Sequence, residues 1–106
     1  MEMLSNIIDG VANVSSESLA QFCKRYFICR LSIFGSTLHG DSKPASDIDI
    51  LVEFLPRHTP GFAFARIEDE LSDLFRKPVD LHTAPSLSQY FREEIVQEAR
   101  TIYAHA

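Results

Sequence analysis

The run from Asp47 to Phe54 constrains the fold more than any other part of this sequence. Ile48, Ile50 and Val52 alternate with Asp47, Asp49, Leu51 and Glu53, the pattern of a strand with one face turned to a core. Two aspartates two positions apart on a strand project from the same face, roughly 6.5–7 Å apart along the backbone. Buried there without a counter-charge, they would repel each other and lose hydration, and one pKa would rise. The chain must therefore close a core on one face of this strand and leave the other open to solvent or to a cation. Facing a cleft, such a pair can converge on divalent ions, and magnesium prefers few carboxylates together with phosphate oxygens. Taken alone, the pair is equally compatible with the solvated face of an edge strand.

The elements around this strand follow from periodicity. Residues 1–14 are weakly patterned. Ser15 and Ser16 offer an N-cap, and Leu19, Phe22, Cys23, Tyr26 and Phe27 recur at helical spacing. Ile28 to Phe34 reads as a strand stopped by Gly35, and 41–46 as a polar loop. Thr59-Pro60 predicts a helix start, with Phe64, Ile67, Leu71 and Leu74 as its buried stripe. Val79 to Thr83 is a short strand. Pro85-Ser86 then opens a last helix, with Ser86 and Gln89 spaced as a capping box and Leu87, Phe91, Ile95 and Ala99 as its apolar stripe. Thr101 to Ala104 fits a small edge strand. This order predicts an α/β sandwich with a mixed sheet.

Length and charge bound the function. The 106 residues make a single domain, 1–106, with one core. No apolar run approaches the roughly 20 residues of a membrane helix and no signal segment opens the chain, so a cytoplasmic location is expected. A net charge of −5, with Lys and Arg scattered, argues against stable binding of nucleic acid through its phosphates. A nucleotide held through metal ions remains compatible. Cys23 and Cys29 form no Cys-x-x-Cys pair, and Cys23 falls on the helical stripe, so core packing is expected of it.

Two further features bear on chemistry. Gly35-Ser36 follows a strand and opens a tight turn; the glycine permits close approach of a phosphate, and the serine offers a hydroxyl and an amide. Taken alone, the pair fits better an ordinary strand-to-helix turn with Ser36 as an N-cap. Asp80 stands between Val79 and Leu81, so it points away from their apolar face. If its strand lies beside the Asp47–Phe54 strand, Asp80 completes a cluster of three carboxylates, the donor set of a two-metal phosphoryl-transfer site. Otherwise it is an exposed strand aspartate.

Gly35-Ser36, ten residues, and then Asp47-x-Asp49 resembles the signature of the DNA polymerase β-like nucleotidyltransferases. Phe34-Gly-Ser through Ser46-Asp-Ile-Asp-Ile-Leu-Val52 is similar to the minimal nucleotidyltransferase branch, often encoded beside a small helical HEPN protein as a toxin–antitoxin pair. That resemblance implies the nucleotidyltransferase fold, an α+β arrangement with a small mixed twisted sheet and helices packed on one side. It implies Asp47, Asp49 and Asp80 as catalytic and metal-binding residues, Gly35 and Ser36 as the phosphate grip, ATP as substrate and two Mg2+ ions. It further implies AMP transfer to a protein hydroxyl, a tyrosine of an HEPN ribonuclease toxin, with this chain as antitoxin. Neutralisation by binding alone, or transfer to a small molecule, are the alternatives. Family members often carry arginines after the Gly-Ser pair, where this chain has Thr37, His39 and, farther on, Lys43. His39 and His82 lie near the motifs and could touch triphosphate or acceptor, although a turn or surface histidine is the expected reading. Tyr90 and Tyr103 are expected to pack, and Arg66, Arg76, Lys77 and Arg92 to be solvated.

Overall fold

The computed structural model describes residues 14–35 and 47–105, and in it the alternating run is an inner strand. The elements are α1 (Ser16–Arg25), β1 (Ile28–Phe34), β2 (Ile48–Phe54), α2 (Ala63–Phe75), β3 (Val79–His82), a 3-10 turn (Ala84–Ser86), α3 (Arg92–Glu98) and β4 (Arg100–Ala104). The sheet order is β3-β2-β1-β4. Strand β1 pairs antiparallel with β2 and β4, whereas β2 and β3 are parallel, so the sheet is mixed. A parallel pair needs a crossover connection, which α2 supplies. Because β2 has neighbours on both sides, Asp49 does not sit on an edge strand.

The core fills one face of the sheet. Leu31 and Ile33 of β1, Ile48, Ile50 and Val52 of β2, and Val79 and Leu81 of β3 are buried in it together. Against them pack Leu19, Phe22 and Cys23 of α1 and Ile67, Leu71 and Phe75 of α2. Ser15 caps α1 by accepting from Ser18 N (3.1 Å), as the sequence predicts. Cys23 is fully buried, and loss of hydration pushes its thiol up to about 12, which leaves it an inert packing group. No helix among the described residues is long and apolar enough to cross a membrane.

Several elements differ from their sequence-based bounds. Phe27 leaves the α1 stripe: the helix stops at Arg25, Phe27 takes φ 57°, and its ring stacks on His58 at 4.0 Å. Helix α2 starts at Ala63, four residues after Thr59, with no side-chain cap. Gly61, a poor helix former, sits where the predicted first turn would be. The proposed Ser86–Gln89 capping box is absent. Ser86 closes the preceding 3-10 turn, its Oγ accepting from Thr83 N (3.1 Å) and donating to Thr83 O (2.7 Å). No residue of α3 is fully buried, Phe91 is exposed, and Tyr90, expected to pack, is 82% exposed. Tyr103 does pack. Arg92 is not simply solvated: its guanidinium donates to Leu87 O (3.1 Å) and Pro85 O (3.4 Å), tying α3 to the turn before it.

The outer edge of β3 is covered by side chains of α2. Ser72 Oγ accepts from Val79 N (2.9 Å) and donates to Glu68 O, and Glu68 Oε2 accepts from Leu81 N (2.8 Å). Those N–H groups point away from β2, so this side-chain brace satisfies the donors that a missing fifth strand would take. It fixes the strand that carries Asp80. Ser72→Ala leaves the Val79 N–H without this partner and should lower stability by about 1–3 kcal/mol. Urea unfolding should show a lower midpoint with an unchanged slope; an unchanged midpoint would remove the brace from the account.

Candidate functional site

Parallel pairing of β2 with β3 sets Asp49 directly opposite Asp80. The neighbours of each, Ile48 and Ile50 on one strand and Val79 and Leu81 on the other, enter the core, so both carboxylates emerge on the opposite face. His82, two residues beyond Asp80, shares that face and lies opposite Leu51. Its Nε2 is 3.2 Å from Asp80 Oδ2 and 3.7 Å from Asp49 Oδ1. One ligand atom from each of Asp49, Asp80 and His82 lies within 4.8 Å of the other two. The Phe34 ring meets the imidazole edge-on, with centroids 5.4 Å apart.

Electrostatics at this cluster are unresolved by the protein alone. Burial pushes the Asp49 carboxyl above its ordinary value of 3.8; His82 opposes that rise, and the charges of Asp80 and Asp47 add to it. The Nε2 of His82 is shielded from solvent yet makes no aligned hydrogen bond among the described residues, despite its short approach to Asp80. Two carboxylates and an imidazole nitrogen converging on one point, with Asp49 disfavoured as an anion, fit a divalent cation.

Gly35 closes the site from β1. Its φ is +78°, and a Cβ built there would lie 2.6 Å from Asp49 Oδ2. The expected reason for glycine was room for a phosphate; the structure adds that the Asp49 carboxylate already fills the space a side chain would need. Asp47 lies just outside the paired strand. The ladder begins at Ile48, whose N–H donates to Pro78 O (2.9 Å), so pairing does not hold Asp47. It is exposed and contributes no atom to the Asp49–Asp80–His82 group. Ser36, Thr37, His39 and Lys43 lie outside the described residues.

His82 is the residue that sequence reasoning undervalued by preferring a surface role to contact with triphosphate or acceptor. The signal was available, since the period of two that sets Asp80 on the open face sets His82 there too. A groove of about 440 Å3 lies elsewhere, between α1 and α2, where Arg25 pairs with Glu70 at 3.7 Å. It contains none of the cluster residues.

Comparison with known proteins shows what the chain is similar to. A family model described as a nucleotidyltransferase domain matches residues 16–102. The chain is 40% identical over 65 residues to MJ1215 of Methanocaldococcus jannaschii, named as a candidate protein adenylyltransferase, covering 60% of this chain and 73% of that one. It is 27% identical over 99 residues to the protein adenylyltransferase MntA of Thermococcus cleftensis, covering 92% and 96%. Among solved structures, a toxin–antitoxin with AMP-PNP superposes with a TM-score of 0.68 at 19% identity, covering 87% of this chain and 75% of that one. A tri-AMPylated Shewanella oneidensis HEPN toxin in complex with MNT antitoxin superposes with a TM-score of 0.60 at 17% identity, covering 85% and 70%. At those identities the structures establish the shared fold.

Two predictions follow from the packed carboxylates. Gly35→Ala should cost about 1–2 kcal/mol for its left-handed backbone, plus the displacement of Asp49. In an Asp49→Ala background the same change should cost less, and a double-mutant cycle by chemical unfolding reads the difference. Additive costs would show that the two residues do not collide. The second concerns pH. With its folded-state pKa raised, Asp49 favours the folded state when protonated, and that contribution is lost as pH rises from 3.8 through the raised value. In metal-free buffer at neutral pH, Asp49→Asn should therefore be more stable than wild type, with the gap closing in acid. A gap independent of pH, in thermal unfolding, would contradict this.

Proposed function

Since this chain belongs to the nucleotidyltransferase domain family, we propose that it transfers AMP from ATP to a hydroxyl of a protein partner, a tyrosine of an HEPN ribonuclease, and thereby acts as its antitoxin. The observation that carries this reading is the in-register placement of Asp49 against Asp80 on adjacent parallel strands. Adenylyltransferase names among the relatives support the transferred group, and the HEPN complex among the structural neighbours supports the partner.

Asp49 and Asp80, with Asp47 at the mouth, are the residues to hold Mg2+. The bound ions supply charge neutralisation of the triphosphate and a lowered pKa for the acceptor hydroxyl. Asp80, half exposed, is the residue to accept that hydroxyl's proton. The hydroxyl oxygen bonds to the α-phosphorus as the bond to the β-phosphate oxygen breaks, and pyrophosphate leaves. Gly35 admits the triphosphate beside Asp49, and Ser36 is the residue to hydrogen-bond it. Positioning and electrostatics account for the rate. An AMP on the toxin adds bulk and negative charge beside an RNA-binding cleft and repels the substrate RNA.

The test uses stoichiometry. A tenth of an equivalent of this protein, with ATP and Mg2+, should add one or more AMP units to the whole partner by intact mass and abolish its ribonuclease activity. Asp49→Ala should fold, bind the partner and leave its mass unchanged. Inhibition only at equal stoichiometry, with no mass gain, overturns transfer in favour of a binding antitoxin.

A further inference from the structure

We infer that His82 is itself a metal ligand, and that the Asp49–Asp80–His82 position takes a transition ion such as Mn2+ in preference to Mg2+. The inference rests on the reading above that β2 and β3 together hold a cation. It goes beyond it by assigning an imidazole donor and, through that donor, the kind of ion.

Strand geometry places the ring. His82 follows Asp80 by two residues on β3, so its side chain leaves the sheet on the side of the carboxylates. Phe34 of β1 meets the imidazole edge-on and limits its rotation. The ring presents Nε2 inward, 3.2 Å from one carboxylate oxygen and 3.7 Å from the other.

An imidazole kept only as a counter-ion for Asp80 would align its N–H on the carboxylate. Here Nε2 is shielded from solvent and makes no aligned hydrogen bond among the described residues. An ion held there would take one ligand atom from each of the three residues, and water or phosphate oxygens would complete its coordination.

Donor chemistry sets the preference. Carboxylates and water suit Mg2+ and Mn2+ alike, whereas an imidazole nitrogen strengthens binding of transition ions and adds little for Mg2+. A site with all-oxygen donors would carry no such bias.

The experiment loads the full chain with Mn2+ alone and reads pulsed EPR for nitrogen-14 modulation from a coordinated imidazole. The wild type should show it; His82→Ala and His82→Gln should lose it, and Asp47→Asn should keep it. By calorimetry His82→Ala should lose about tenfold or more in Mn2+ affinity, since even the outer-shell partners of metal ligands are worth 10–100-fold, while Mg2+ affinity holds or rises. Modulation that persists without His82, or bound Mn2+ with no nitrogen signal, overturns the assignment. Asp49→Ala separates the two readings. If Asp49→Ala abolishes binding while the wild type shows no nitrogen, only His82 is misassigned. If it leaves Mn2+ affinity untouched, or the wild type binds no Mn2+, the strand-pair metal site falls with it.

Discussion

The hydrogen-bonded register between β2 and β3 is the constraint on which the rest depends. It sets Asp49 opposite Asp80, and no other pairing in the sheet brings two acidic strands together. A parallel pair cannot be joined by a tight turn, so the register is fixed at a distance, by α2 packing Ile67, Leu71 and Phe75 into the core. The same helix reaches over the sheet edge with Glu68 and Ser72 to hold the free donors of β3. Core packing and site geometry are thus two outcomes of where one helix lies.

The sheet's two faces then divide the labour. Ile48, Ile50, Val79 and Leu81 enter the core, and the residues between them carry the chemistry. A strand with period two needs no insertion or special loop to do this. What it does need is a way to relieve the like charges brought together. His82 offers part of that relief within the protein, and a cation offers the rest.

Much of this was legible in the sequence because it is local. Alternation between Ile48 and Phe54, the branched run from Ile28 to Phe34, the Ser15 cap and the Ile67–Leu71 stripe each rest on a few neighbouring residues. Adjacency of β2 and β3 is not local; in the sequence it was conditional, and pairing had to establish it. Elsewhere a correct pattern met a competing one. The Leu87–Phe91–Ile95 periodicity is present, but the short α3 fully buries none of its residues, and Phe91 stays exposed. Asp47 obeys the same spacing as Asp49, yet it falls just before the ladder begins, where alternation no longer dictates direction. His82 was misjudged for a different reason, since histidine identity suggested a surface role while its strand position argued otherwise.

Gly35 carries a consequence for descent. The chain tolerates Phe27, Arg57 and Arg76 at positive φ, so backbone conformation alone does not reserve position 35 for glycine. The Asp49 carboxylate, 2.6 Å from any Cβ there, does so more strictly. The two positions are therefore sterically coupled. A lineage that abandons the chemistry and loses Asp49 also lifts the steric demand on its neighbour, and side chains can accumulate at 35 without penalty to folding beyond that of the turn. Glycine retained beside a vanished aspartate would mark a recent loss; both replaced would mark an old one.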